Sequence, residues 1–148
     1  MCLLANAKTK RNFKRRNQGE KITAYKVYKV YQKTSQWKLC SVFFPNRFDT
    51  IKNHGWIVSN RTGGTTVGSD CCDIAAVKYN CAHVNRGIHV YLNIADAFDI
   101  VMEKGCVNRV IVPVQCRVED LIGIDSDEKS AAFTKVYINK ENFRQAVK

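Results

Sequence analysis

A histidine stands in the middle of a stretch with the pattern of a β-strand, "GIHVYL" (87–92). His89 and Tyr91 alternate with Ile88, Val90 and Leu92, so the first pair faces away from the three aliphatic residues. An imidazole titrates near neutral pH and often serves as a general acid or base, which makes this pair a candidate catalytic site lining a cleft. A packed histidine in a half-buried strand explains the same pattern. We therefore expect His89 to shape a pocket rather than to turn over a substrate.

Cys2 is a second candidate for catalysis. Removal of Met1 would leave an N-terminal cysteine, whose own α-amine, with a pKa of about 8, could act as the base for its thiol. Several amide-cleaving and covalent-capture enzymes use this chemistry. The simpler alternative is an incidental residue at a frayed terminus.

A glycine-rich stretch, "SNRTGGTTVGS" (59–69), follows a strand-like segment and could hold a phosphate on consecutive backbone amides. An arginine in it could clamp the phosphate, and an aromatic residue nearby could stack on a base. The stretch is not a Walker sequence, and a plain flexible loop is equally compatible with it. The candidate nucleotide-binding residues are Arg61, Gly63, Gly64, Arg86 and Trp56.

Four potential metal ligands lie close together in the sequence: Cys71, Cys72, Cys81 and His83. Their spacing lacks the paired C-x2-C units of tetrahedral zinc sites, and adjacent cysteines rarely bind one ion together. We therefore predict no metal ion and no cofactor.

The strongest functional signal is positive charge. The chain carries a formal net charge of +11, and six of the nine residues in "KTKRNFKRR" (8–16) are basic. Such an excess attracts polyanions, although a solubilising tail has the same composition. Phe13 would be available to stack on a base. The candidate nucleic-acid-binding residues are Lys8, Lys10, Arg11, Lys14, Arg15 and Arg16.

The elements that must position these residues follow from hydrophobic periodicity. Residues 22–32 and 37–44 predict a β-hairpin, residues 55–60 a third strand, and residues 88–92 a strand that leads into a helix. Asn93 with Asp96 would begin that helix, a stripe of Ile94, Ala97, Phe98 and Val101 would face the core, and Gly105 would end it. In "NRVIVPVQCRV" (108–118), alternate valines form one face, and Pro113 indicates a strand edge or a bulge.

The remaining segments complete the fold prediction. "EDLIGID" (119–125) predicts a turn or short helix, "AAFTKVYIN" (131–139) a last strand, and Asn139 would cap a short terminal helix. We predict an α+β domain with a mostly antiparallel sheet of about five or six strands and two main helices. Residues 1–20 would form a mobile or partly helical basic arm, and residues 21–148 the single domain.

Location follows from what the sequence lacks. No apolar run approaches the length of a membrane span, and the N-terminus does not have the order of a secretory signal. The chain has seven cysteines, an odd number that cannot all pair in disulfides within one chain. We expect reduced thiols and a cytoplasmic protein, in the host cell if the protein is viral.

Three stretches resemble small uncharacterised phage and bacterial proteins. These are the opening "MCLL", the strand "AYKVYKV", and "RGIHVYLNIADAF" followed by "VIVPVQCRVEDLIGID". In that group a Met-Cys start, a "YKV" strand and a strand with glycine and histidine before a helix recur, and the likeness covers residues 22–31 and 86–138. The resemblance implies a phage-type accessory protein.

"GIHVYLNIADAF" is more distantly similar to the strand and helix of ADP-ribosyltransferase-like folds, which bind NAD between two small sheets. That family uses a His or Arg on its first strand, a Ser or Tyr on a middle strand and often a late Glu. Here Tyr25 and Lys26 occupy the first strand, Tyr91 matches the middle position, and Glu119 is the candidate for the last. The departure on the first strand favours a binding protein on that fold over a transferase.

Three classes of function follow from the residues and these resemblances. The first is a non-enzymatic binder of a nucleotide or nucleic acid that counters a host defence. The second is an enzyme that uses Cys2 as nucleophile or, as an NAD-using protein, Tyr91 and His89. The third is an inhibitor that docks on an acidic host protein. We expect no membrane partner, and the oligomeric state stays open.

Overall fold

The structure is a computed structural model that describes residues 3–33, 36–41, 48–49, 56–58, 65–66, 81–84, 87–103 and 108–147. Its helices are α1 (Ala7–Arg16), α2 (Ile94–Val101) and α3 (Lys140–Val147), with one 3-10 turn at Val118–Asp120. Its strands are β1 (Leu3–Asn6), β2 (Lys21–Lys33), β3 (Gln36–Ser41), β4 (Phe48–Asp49), β5 (Trp56–Val58), β6 (Thr65–Thr66), β7 (Cys81–Val84), β8 (Ile88–Tyr91), β9 (Arg109–Arg117), β10 (Leu121–Ile124), β11 (Ser130–Phe133) and β12 (Lys135–Tyr137). None of the helices in these ranges has the length and apolar character needed to cross a membrane.

The predicted class, an α+β domain with a mostly antiparallel sheet, is confirmed. The main sheet has the order β10-β11-β8-β2-β9-β12-β5, with β3 also paired to β2 and β4 to β3, and a small second sheet has the order β1-β7-β6. The predicted hairpin of residues 22–32 and 37–44 corresponds to β2 and β3, which pair from Tyr28 with Ser41 to Lys33 with Gln36.

Strand β2 organises the main sheet because it is long enough to pair with three neighbours. One edge pairs with β9 along nine positions, from Lys21 opposite Arg117 to Lys29 opposite Arg109. The other edge meets β8 at Tyr25 opposite Tyr91, and β3 takes over from Tyr28 onward. Alternation along β2 therefore decides which side chains lie on each side of the sheet.

The sheet curls around its own core. Strands β11 and β12 are separated in the chain by Thr134 alone, yet they pair with β8 and β9, which lie on opposite sides of β2. Four strand spacings in a flat sheet would separate them by about 19 Å, whereas two residues reach about 7 Å. "AAFTKVYIN" is thus two strands rather than the predicted one, because the chain bends at Thr134 to join the two sides.

Side chains on the inner side of this curl form the main core. Alternate residues of β2, β8 and β9 point inward and meet residues of β10 to β12. The completely or almost completely buried members include Ala24, Tyr28, Ile88, Val90, Val112, Val114, Phe133, Val136 and Ile138. The segment predicted as a turn or short helix at 119–125 begins in the 3-10 turn, but it then continues as strand β10 and buries Ile124 in this core.

Among the described residues, α2 and β1 cover parts of the outer side of the sheet, and α3 contacts β9. Ala97 of α2 packs on Val27 and Tyr91, and Leu3 and Ala5 of β1 pack on β10 and β11 through a separate small cluster. The part of the outer side around the beginning of β2 and the end of β9 is not in either cluster. The described residues in that part are polar or basic and mostly exposed, as described below.

Helix α2 is turned relative to the predicted stripe. Ala97 is buried and Val101 half-buried as expected, but Ile94 and Phe98 are 56% and 54% exposed, and Ile100 packs inward instead. At 100° per residue the inward direction differs by about 60° from the predicted one. The physical reason is that the small Ala97 allows the helix to approach the sheet closely. Asn93 is the N-cap residue without making a side-chain cap, and Gly105 lies outside the described residues.

Other predictions concern the ends of the chain. Asn139 accepts a hydrogen bond from the Glu141 amide at 2.8 Å, which confirms it as the cap of α3. The N-terminal segment is built into the fold, because β1 pairs with β7 and α1 lies against β10. Of the two forms predicted for the basic segment, mobile or partly helical, the structure shows a helix at residues 7–16. The chain then continues through residues 17–20 into β2.

Candidate nucleic-acid interface

Helix α1 is fixed at both ends by asparagine side chains. The Asn6 Oδ1 accepts hydrogen bonds from the Thr9 amide at 3.0 Å and from the Thr9 hydroxyl at 3.2 Å, which caps the N-terminus. The Asn17 side-chain amide donates to the Phe13 carbonyl at 2.9 Å, which serves the C-terminus. The last turn carries only basic side chains, which interact favourably with the negative end of the helix dipole.

Phe13 anchors this helix to the domain. Its side chain is half-buried and packs against the main core. The Arg16 guanidinium lies 5.9 Å from the Phe13 ring centre and also pairs with Glu128 in the β10–β11 turn. The packing of Phe13 on the core shows a structural role for this ring, and its stacking on a base stays a prediction.

The solvent side of α1 is a row of cations. Lys8, Arg11 and Arg15 are exposed and follow the i, i+3, i+7 spacing that places residues on one face of a helix. At 1.5 Å per residue, the row extends about 10.5 Å along the axis. One strand of DNA advances about 3.4 Å per phosphate, so the row matches roughly three phosphate steps. Lys10 and Lys14 lie on other faces of the helix and are half-buried.

This arrangement does not favour the helix itself. Arg11 and Arg15 are four residues apart, as are Lys10 and Lys14, and α1 has no acidic residue in its first turn. Like charges at this spacing destabilise a helix by about 0.2–0.5 kcal/mol per pair. A bound polyanion would remove this repulsion, so the geometry and the charge both suit a phosphate backbone.

The predicted catalytic pair is buried. His89 and Tyr91 are 4% and 7% exposed, so they do not line an open cleft as the catalytic hypothesis requires. Burial raises the pKa of the Tyr91 phenol to about 12, and the nearby Arg109 charge lowers it only in part. The sequence missed this because distant segments cover the outer side of β8. Helix α2 packs on Tyr91, and β1 packs on Ala132, the cross-strand neighbour of His89.

The residues named from the ADP-ribosyltransferase resemblance lie on different sides of the main sheet. Lys26 is 3% exposed on the inner side of β2, and its Nζ donates to the His89 carbonyl at 3.3 Å. Tyr25 is the cross-strand partner of Tyr91 on the outer side. Glu119 is exposed on the 3-10 turn, with its Oε1 3.9 Å from Arg117 Nη1.

Several candidate site residues are not among the residues that the structure describes. Cys2, Arg61, Gly63, Gly64 and Arg86 lie outside the described residues, as do Cys71 and Cys72. Trp56 is described only as a strand residue of β5, opposite Tyr137. Within the described ranges, no group of three or more histidine, cysteine or acidic side chains is placed to hold a metal ion.

A cavity that the sequence did not predict lies on the outer side of the sheet, at the beginning of β2 and the end of β9. It measures about 360 Å³, and the described residues that line it are Lys21, Gln115, Cys116, Arg117 and Tyr137. A signal was present, because polar residues alternate with Val114 and Cys116 in "VQCR". The same alternation that turns Val114 and Cys116 inward turns Gln115 and Arg117 outward. The Cys116 thiol is buried, which raises its pKa to about 12, with the Asp120 carboxylate adding to the effect.

No family model matches the chain, and no curated protein or solved structure is similar to it. The geometry and charge of the chain's own residues are therefore the basis for inferring its function.

Proposed function

We propose that this protein binds nucleic acid through the exposed cations of α1. The observation that carries the proposal is the row of Lys8, Arg11 and Arg15 on a helix fixed to the domain by Phe13. A fixed row contacts successive phosphates with less loss of conformational entropy than a disordered tail would. Contacts of this kind recognise the backbone and carry no base sequence information.

The proposal makes binding strongly dependent on salt. Each phosphate contact contributes a slope of about 0.7 to 0.9 to the decrease of log affinity with log salt concentration. Three contacts therefore reduce affinity by about 20-fold to 40-fold between 50 and 200 mM salt. Binding that does not change over this range would contradict the proposal.

The test is fluorescence anisotropy with labelled single-stranded and double-stranded 20-mers, using wild-type protein and the double variant Lys8→Ala/Arg15→Ala. The double variant should reduce the salt slope by about two. It should leave thermal stability unchanged or raised, because alanine favours helix and a like-charge pair is lost. A stability measurement therefore separates lost binding from lost folding.

The matched control is Lys29→Ala/Arg144→Ala, which removes one exposed lysine and one exposed arginine elsewhere. We expect this control to retain the wild-type salt slope. If both double variants weaken binding equally, the attraction comes from total charge and the role assigned to α1 is wrong. Absence of binding to either oligonucleotide at 50 mM salt would also reject it.

The resemblance to small phage proteins extends the proposal to an accessory role in which binding counters a host defence. This extension is supported by the resemblance alone. An acidic host protein could present carboxylates to the same row, and a stoichiometric protein complex formed in the absence of oligonucleotide binding would favour that alternative.

A further inference from the structure

The cavity beside the beginning of β2 has the composition of a ligand site. Alternation places Lys21 and Thr23 of β2 on the outer side together with their partners Arg117 and Gln115 of β9. The residues that alternate with them, Ile22 and Ala24, face the inner core. Tyr137 of β12 lies opposite Gln115 on the third adjacent strand. Three strands thus contribute to one polar surface.

Two cations face each other across this surface. Lys21 and Arg117 are cross-strand partners, and the register of Tyr137 with Gln115 brings Lys135 next to Arg117. Like charges directly opposite each other in a sheet are destabilising. An anion bound between them would stabilise the arrangement, and phosphate is the anion whose geometry suits an arginine combined with a lysine.

The other end of the same strand pair provides a comparison. Lys29 and Arg109 are also cross-strand partners, but the Arg109 Nη1 donates to Glu103 at 3.1 Å and to the Ile100 carbonyl at 2.9 Å. That arginine serves to hold α2. At the cavity end, Arg117 has a 3.9 Å ion pair with Glu119, whose side chain is 68% exposed. Such an exposed pair is weak and a phosphate can replace it.

Next to the cations are groups suited to a nucleobase. The Tyr137 ring is half-exposed at the cavity, and aromatic rings of this kind stack on any base. The Gln115 side-chain amide donates to the Thr23 hydroxyl at 3.0 Å, which orients this exposed side chain at the cavity. A volume of about 360 Å³ lies within the range of about 300–1,000 Å³ found for small-molecule sites.

We propose that this cavity binds a nucleoside monophosphate unit, with the phosphate between Lys21 and Arg117 and the base against Tyr137. The unit is either a free nucleotide or one residue of a nucleic-acid strand. The proposal uses none of the cations of α1 and does not depend on the proposed function.

The test is isothermal titration of the protein with AMP, adenosine and inorganic phosphate. AMP should bind at least tenfold more tightly than either fragment, because only AMP engages both the cations and the ring. Equal affinity for AMP and phosphate would overturn the proposal, since it would show a charge effect without a base site.

A matched pair of variants locates the site. Lys21→Gln should weaken AMP binding at least fivefold, whereas Lys29→Gln, an exposed lysine on the same side of the same strand, should leave it unchanged. Both side chains are exposed, so neither change should prevent folding. Equal effects of the two variants would assign AMP binding elsewhere and reject this cavity.

Two further measurements separate this proposal from the role of α1 and identify the source of the ligand. Lys8→Ala/Arg15→Ala should retain AMP binding, and loss of AMP binding in that variant would refute an independent cavity. Displacement of AMP by an unlabelled 20-mer would support a strand as the source, and retention of AMP in its presence would support a free nucleotide.

Discussion

Gly87 provides the sharpest test of how the main sheet packs. It precedes β8 with a φ of +83°, in the left-handed region that favours glycine. A Cβ at this position would lie 2.5 Å from the Ile122 Cδ1 and 2.9 Å from the Phe133 carbonyl oxygen. The isoleucine methyl group can move aside, but the carbonyl belongs to the backbone of β11, which pairs with β8.

The magnitude for Gly87→Ala follows from two contributions. A left-handed conformation costs a non-glycine residue about 1–2 kcal/mol. Inserting a carbon into a packed site costs about another 1–3 kcal/mol. We therefore expect the free energy of unfolding to fall by about 2–5 kcal/mol.

Gly19 is the matched control because it has a similar φ of +74° and no atom within 4 Å of an added Cβ. Gly19→Ala should lose only the conformational contribution of about 1–2 kcal/mol. Both variants gain equally from a more restricted unfolded chain, so this effect cancels in the comparison. The difference between them measures packing alone.

The assay is urea unfolding followed by far-UV circular dichroism, with melting temperatures as a second measure. A chain of this size loses about 2–4 °C in Tm per kcal/mol. If the two variants have the same midpoint and the same denaturant dependence, then β8 does not approach β11 as described, and the account of the curled sheet is refuted.

Two other predictions test the outer side of the sheet. Ala97→Leu should lower the free energy of unfolding by about 1–3 kcal/mol because Ala97 is completely buried. Phe98→Ser should change it by less than about 0.5 kcal/mol because Phe98 is 54% exposed. If thermal denaturation shows the larger effect for Phe98→Ser, the helix face predicted from the sequence is the one that packs. Burial raises the pKa of Tyr91 from 10 to about 12, so its phenol stays protonated in the folded protein while the unfolded chain ionises. Stability contributed by this group is thus full below pH 10 and decreases up to pH 12, by at most about 1.4 kcal/mol per pH unit. Tyr91→Phe should make the urea midpoint less dependent on pH in this window, and an identical dependence would show that Tyr91 is not buried.

Local patterns predicted much of the fold. The β2–β3 hairpin, the start of α2 at Asn93 and the capping of α3 by Asn139 follow from residue preferences over a few neighbouring positions. These features depend on contacts within a short segment, so the sequence contains the needed information. The basic face of α1 is similar, since the spacing of Lys8, Arg11 and Arg15 becomes a row once the segment is helical.

The candidate sites were less predictable because exposure depends on distant segments. Period-two alternation shows that His89 and Val90 point to opposite sides of β8. It does not show that the outer side is packed as well, where β1 lies on Ala132, the cross-strand neighbour of His89, so that His89 is only 4% exposed. In the same way, Phe13 lies in a polar run, and only the position of α1 against the core turns its ring inward.

The sequence by itself determined the α+β class, the excess of positive charge and the local elements, because composition and short-range periodicity control these properties. Only the tertiary structure decided that Thr134 joins two sides of a curled sheet and that Lys21, Arg117 and Tyr137 share one cavity. These residues are up to 116 positions apart in the chain. Their proximity results from the register between strands, which is set by the packing of the whole core and by no single segment.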